Sequence, residues 1–202
     1  MTPVAPAASE SASRAAGRPR DPRLDEAIAQ ATIDLLAQCG YDALSMEAVA
    51  ARAGTTKTAI YRRWSSKASL VADVFATRSK TKVVVPDTGD LRNDLLTYLR
   101  SVIIALTSEP VGRAVLNMVV AARSYPDLAG LLQQEWTRLR RQVVTAIVQR
   151  AVARGELGPD VDDKLTADLL LGPLYYRLLV TGEPVRPSFA TRLVDAVLPG
   201  LR

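Results

Sequence analysis

Four cations, Lys57, Arg62, Arg63 and Lys67, stand among hydroxyls and aromatic rings in the stretch GTTKTAIYRRWSSK, residues 54–67, which contains no acidic residue. Ile60 and Trp64 recur at an interval of four, so one side of a short helix here is predicted to be buried. Lys57 and Tyr61 then share one outward face, and Thr58 and Arg62 share the next. Such a face suits binding rather than bond-making. Arginine can grip guanine through two parallel hydrogen bonds, and threonine can touch a thymine methyl group. Lys57, Arg63 and Lys67 can neutralise phosphates, and the Tyr61 hydroxyl can donate to one. Taken alone, the stretch could equally be a solvated helix face; the elements around it decide.

Ser45 can cap a helix over Met46–Arg52, with Glu47 near its positive end. Ala53-Gly54-Thr55 breaks that helix, and Thr56 can cap the next, roughly Lys57 to Trp64. Two helices about a three-residue turn, with Ala50 and Ala53 small enough for close approach, make a helix-turn-helix. Upstream, Asp21-Pro22 opens a helix through Leu24, Ile28, Ala31 and Leu35 that Gly40 stops. Ser65–Ser66 precedes a fourth helix from Lys67 to about Ser79, with Leu70, Val71, Val74 and Phe75 as its buried stripe.

The stretch VVVPDTGD, residues 83–90, reads as a loop and marks the expected boundary between residues 20–82 and 83–202. Residues 1–19, rich in Ala, Ser and Pro, are expected to be a disordered tail. Beyond the loop the period stays helical: Leu91–Leu95–Leu99–Ile103, then Val111–Val115–Met118–Ala122. A long element follows from Asp127 to Arg154 through Leu132, Trp136, Leu139, Val143 and Ile147, and two more span about Asp163–Val180 and Pro187–Leu198. Only Lys82–Val85 has any strand character, and it is too short to pair. The expected fold is all-α. Residues 165–180, LTADLLLGPLYYRLLV, are apolar nearly all the way round after the first turn, and such a helix needs cover on several sides, one of which can be a second subunit.

Composition removes most other functions. The 202 residues contain no histidine and a single cysteine, Cys39, which excludes an internal disulfide and most metal and triad chemistry. No phosphate-binding glycine loop or nucleophile elbow is present, so neither an enzyme nor a cofactor is expected. No apolar run is long enough to cross a bilayer, and the N-terminus lacks a secretory signal, which points to the cytoplasm. The net charge of +5 is uneven: residues 1–82 carry 12 Lys or Arg against 8 Asp or Glu. That excess coincides with the cationic stretch and favours a polyanionic partner.

The segment ALSMEAVAARAGTTKTAIYRRWSSKASLVADVF resembles the DNA-binding segment of the TetR family of bacterial transcriptional regulators, in a match from about Arg20 to Val74. The Ala-Gly turn, Tyr61 and Trp64, and the Ser66-Lys67 helix start are all in register. Family members commonly carry an acidic residue soon after the Ser-Lys pair, where this chain has Ala68 and Ser69. RAVARGELGPDVDD (150–163) and GPLYYRLLVTGEPV (172–185) resemble a common C-terminal domain of these regulators.

The resemblance implies a homodimer joined through the last two helices, a palindromic double-stranded operator, and a small-molecule effector held in the C-terminal domain. In most members the outcome is repression. The expected DNA contacts are Ser45, Thr55, Thr56, Lys57, Thr58, Ala59, Tyr61, Arg62, Arg63 and Lys67. The expected interface comprises Leu169, Leu170, Pro173, Leu174, Arg177, Leu193, Val194 and Val197. Tyr98, Met118, Trp136, Tyr175 and Tyr176 are candidates for a mostly apolar effector, with ordinary core packing as the alternative for each. Arg123 and Arg177 could pair with an anionic ligand or form salt bridges. Two readings stay open beside this one: a DNA-binding regulator with no small-molecule response, and an enzyme or carrier whose basic helix is incidental.

Overall fold

Asp21 and Pro22 open the first helix as their types require. The Asp21 carboxylate accepts from the Arg23 N–H at 3.0 Å, and α1 runs Pro22–Ala43. A computed structural model describes residues 21–82 and 85–201, apart from the side chains of residues 79–82 and 135. The expected N-terminal tail and the start of the 83–90 loop lie outside the described residues. Among those described, there are helices and connecting loops and no strand: the fold is all-α.

The helices follow in chain order as α2 Met46–Arg52, α3 Lys57–Tyr61, α4 Lys67–Lys82, α5 Leu91–Thr107, α6 Val111–Ala121, α7 Pro126–Leu132, α8 Arg138–Ala153, α9 Asp163–Tyr176 and α10 Pro187–Val197. Among the boundaries that differ from the expectation, α4 runs on to Lys82, α9 gives way to a π-helical turn at Arg177–Thr181, and three others bear on the sites. Gly40, at φ 76°, interrupts α1 without ending it, because Tyr41 to Ala43 add a further turn before the extended Leu44. The third helix stops at Tyr61, three residues short of Trp64. The long element of residues 127–154 is divided by a π-helical turn at Gln133–Thr137, whose one extra residue re-aims the Trp136 side chain relative to a continuous α-helix.

Buried apolar side chains form one cluster from Ile28 to Leu198, continuous across the 83–90 loop. Its main seam is α1 along α6, tied by the Asn117 amide donating to the Leu36 carbonyl at 2.8 Å. The fourth helix lies on α7 and the π turn, so two surfaces join the first four helices to the remainder. Gly112 is needed where α5 turns into α6: a Cβ there would sit 2.1 Å from the Leu106 carbonyl oxygen. The tenth helix packs on α5, with Arg92 gripping Asp195 through two bonds of 2.7 and 3.0 Å.

No single helix among the described residues is long and apolar enough to cross a membrane.

Candidate nucleic-acid interface and ligand cavity

The turn between α2 and α3 is fixed by local chemistry. The Ser45 hydroxyl accepts from the Ala48 N–H at 3.1 Å, which caps α2. At its other end the Gly54 N–H donates to the Ala51 carbonyl and the Thr55 N–H to the Ala50 carbonyl, at 3.3 and 2.9 Å. This paired closure needs a left-handed residue, and Gly54 supplies it at φ 66°. Thr56 then caps α3 by accepting from the Ala59 N–H at 3.2 Å. Ser45 and Thr56 thus have structural duties whatever else they touch.

Ile60 is fully buried and anchors α3. Trp64, half-buried, donates its indole N–H to Asp73 of α4 at 2.9 Å, which holds the end of the recognition segment against the fourth helix. Opposite Ile60, Lys57, Thr58, Tyr61 and Arg62 are exposed, while Thr55 and Ala59 are half-buried.

The four cations differ in what they meet. Lys57 pairs with Glu47 of α2, both half-exposed, and its ammonium lies 5.4 Å from the Tyr61 ring centre. The hydrogen bond between them lowers the Glu47 pKa and raises that of Lys57. Arg63 pairs with Asp25 of α1 and flanks the Trp64 ring at 6.0 Å. Lys67 donates to the Tyr41 carbonyl at 2.7 Å and stands 4.2 Å over the Tyr41 ring, so it satisfies the last turn of α1. Burial depresses its pKa. Arg62 alone of the four has no side-chain hydrogen bond or ion pair among the described residues. The stretch has no acid within it, but the fold brings two to it, and they leave the Thr58–Arg62 face cationic.

Ser69 stands where an acidic residue was expected and does its work. Its hydroxyl accepts from the Ser66 N–H, while the Ser66 hydroxyl accepts from the Ser69 N–H, each at 3.1 Å. This is a capping box built from two serines.

Farther along the chain, a cavity of about 350 Å³ is lined by Phe75 and Arg78 of α4, Tyr98, Ser101, Val102, Ile104 and Ala105 of α5, Ser108, Val111, and Trp136 and Arg140. Tyr98 and Trp136 were expected there. Met118 is completely buried, and neither it, Tyr175 nor Tyr176 lines this cavity; Tyr176 is 59% exposed. Arg140, which the pattern reading missed, lies at the interval of four from Trp136 on the buried side of the helix. That position was the available signal. The Tyr98 hydroxyl donates to the Arg140 carbonyl at 3.2 Å, and burial pushes its pKa up to about 12 against the pull of the Arg140 cation.

The last helices also sort differently from their expectation. Leu170, Leu174, Leu193 and Val194 are buried within the protein itself. Pro173 and Val197 are half-buried, and Arg177 stacks 4.0 Å over Phe189 while pairing with Glu183 at 3.0 Å. Leu169, of the expected interface, is exposed, and with Leu165, Gly172, Tyr176 and Val180 it forms one stripe at helical spacing.

Comparisons with known proteins agree with one another. Residues 28–74 match a family model described as bacterial regulatory proteins of the tetR family. Residues 85–197 match one described as the tetracyclin repressor-like C-terminal domain. The HTH-type transcriptional regulator YdeS of Bacillus subtilis is 33% identical over 92% of this chain and 93% of its own. The DNA-binding transcriptional repressor TetR of Mycobacteroides abscessus is 35% identical over 87% and 95%. The crystal structure of the TetR family transcription regulator SCO0332 superposes with a TM-score of 0.72 at 34% identity, covering 89% of this chain and 99% of that one.

Proposed function

This chain belongs to the TetR family of bacterial transcriptional regulators and is a DNA-binding regulator rather than an enzyme, and we propose that it acts as a homodimeric repressor released by a small molecule. The observation that carries the DNA side is the Thr58–Arg62 face, cationic, exposed and braced from behind by Ile60 and Trp64. It enters the major groove, Arg62 reads a base, and Lys57, Tyr61 and Thr55 engage the backbone. Lys57 exchanges Glu47 for a phosphate on binding. Arg63 and Lys67 serve chiefly as braces, through Asp25 and the Tyr41 carbonyl.

Two copies join along the exposed stripe of Leu165, Leu169, Gly172, Tyr176 and Val180, with α10 beside it. An apolar band of this length otherwise costs free energy in water. A twofold dimer sets its two recognition helices about 34–36 Å apart, one turn of the duplex, and so calls for a palindromic operator. One relative is named a repressor, and repression is the natural outcome of occupying such a site. The effector occupies the cavity under α4, and the protein works in the cytoplasm, where the bacterial chromosome lies.

In vitro selection of random duplexes with the purified protein tests this directly. The expected product is a palindrome with half-sites about one helical turn apart, bound as one dimer. Recovery of no sequence above salt-sensitive background overturns the assignment of α3 as a reader of bases.

A further inference from the structure

A buried arginine with no carboxylate partner among the described residues forms part of the cavity wall. Arg140 is 7% exposed, its guanidinium carbon lies 4.0 Å over the Trp136 ring, and its Nε–H has no hydrogen-bond partner. None of the ion pairs among the described residues involves it. A desolvated guanidinium is costly unless an anion meets it, and its planar fork is shaped for a carboxylate or a similar group. The cavity's other cation, Arg78, donates to Glu26 at 2.8 Å and to Gln30 at 3.0 Å, so it already faces a negative charge. Among the described residues no acidic one lines the cavity; the remaining polar side-chain groups are hydroxyls and the Trp136 indole N–H, and much of the wall is apolar.

We propose that the ligand of this cavity is an amphipathic monoanion, whose one carboxylate or equivalent head docks on Arg140 while an apolar body fills the space beside Phe75, Ile104 and Trp136. The assignment rests on the effector reading above and narrows it to a chemical class. A cationic ligand would meet two guanidinium groups. A neutral one would leave Arg140 buried without a counter-charge. A dianion would find its second charge competing with Glu26 for Arg78. The volume of about 350 Å³ suits a small ligand and lies at the low end of ordinary pockets.

The test uses the full chain carrying Trp64→Phe, so that Trp136 is the sole indole, and five probes: decanoate, 4-phenylbutyrate, decanol, 4-phenylbutanol and decylamine. Fluorescence titration near pH 7 is expected to show each acid binding at least ~10-fold tighter than its alcohol, with the amine weakest. Arg140→Met should erase that preference by weakening the acids while leaving the alcohols within about 3-fold. Because a core variant can misfold, a second measurement needs none: acid binding should weaken as pH falls through the probe's own carboxyl pKa, while alcohol binding stays flat. Alcohols binding as tightly as acids, a preference that survives in folded Arg140→Met, or no binding by either acid overturns the proposal. Operator release by the alcohols or the amine alone would leave the effector reading standing without it. Acids that bind through Arg140 without releasing operator would sink the regulatory reading and spare this one.

Discussion

Phe75 of α4 stands edge-on to Trp136 of the π turn, with ring centres 6.0 Å apart and planes at 85°. One contact therefore joins the wall of the cavity to the helix whose second turn braces the α3 segment through Asp73 and Trp64. A ligand against Trp136 cannot reposition its ring without changing what Phe75 packs on. Closely packed interiors pass such shifts along instead of absorbing them, which gives a short route from cavity to recognition helix.

Arg62 and Lys67 should separate by mutation. Arg62→Ala should weaken operator binding by about 1–3 kcal/mol and relax specificity at one position of each half-site. Lys67→Met removes the bond to the Tyr41 carbonyl, so it should lower the melting temperature while leaving the salt dependence of DNA affinity unchanged. Anisotropy titrations at several salt concentrations, beside thermal melts, measure both. A flatter salt slope for Lys67→Met would place its ammonium on a phosphate.

Leu169 and Val194 should also part company. Leu169 is 43% exposed on the α9 stripe, so Leu169→Asp should yield a protein that melts cooperatively but sediments as a monomer and binds operator weakly. Val194 is fully buried inside its own chain, and Val194→Asp should cost several kcal/mol of folding stability. Analytical ultracentrifugation with circular dichroism distinguishes the two. An intact dimer of Leu169→Asp would move the interface elsewhere.

What the sequence made legible was local. Ser45, Gly54 and Thr56 announce their caps and turn because each bond they make lies within a few residues, and the period of α5 through α10 survives any packing. Nonlocal facts were hidden. The all-round apolar pattern of residues 165–180 could not say that Leu170 and Leu174 face the protein's own core while Leu165 and Tyr176 face out, because that depends on where α8 and α10 lie. Tyr98 and Met118 are equally inward in pattern, yet only the first lines this cavity. Glu47 reaches Lys57 only once α2 and α3 are folded together. Arg140, beside Arg141 in the sequence, is set inside only by the fold, where it stacks over Trp136 after the π turn.

Tyr98 predicts an alkaline limb to stability. Its folded pKa of about 12 lies above its ordinary value of 10.0, so below pH 10 both folded and unfolded forms keep the proton and no penalty arises. Between pH 10 and 12 the unfolded chain releases its proton while the folded one retains it, and stability falls by up to about 3 kcal/mol. Tyr98→Phe should make that limb shallower in denaturant titrations run from pH 9 to 12, whatever it does to baseline stability. An unchanged slope would mean that Tyr98 ionises as readily folded as unfolded.

The last prediction concerns the link between the two sites. Replacing Phe75 with alanine would mix any loss of communication with a core cavity costing about 3–5 kcal/mol, so Phe75→Leu is the better probe. Leucine keeps the site filled but removes the edge-on ring contact, worth about 0.5–1.5 kcal/mol beyond burial. If that contact carries the signal, operator affinity without ligand should stay within about 3-fold of wild type. The factor by which a saturating acid probe weakens operator binding should then fall by about 2- to 10-fold. Linkage demands that operator weaken probe binding by the same factor in each protein, so titrations run both ways check the measurement internally. A ligand can shift the equilibrium only as far as it distinguishes the two arrangements, and a coupling factor unaltered in Phe75→Leu would mean that Trp136 and α4 communicate by another route.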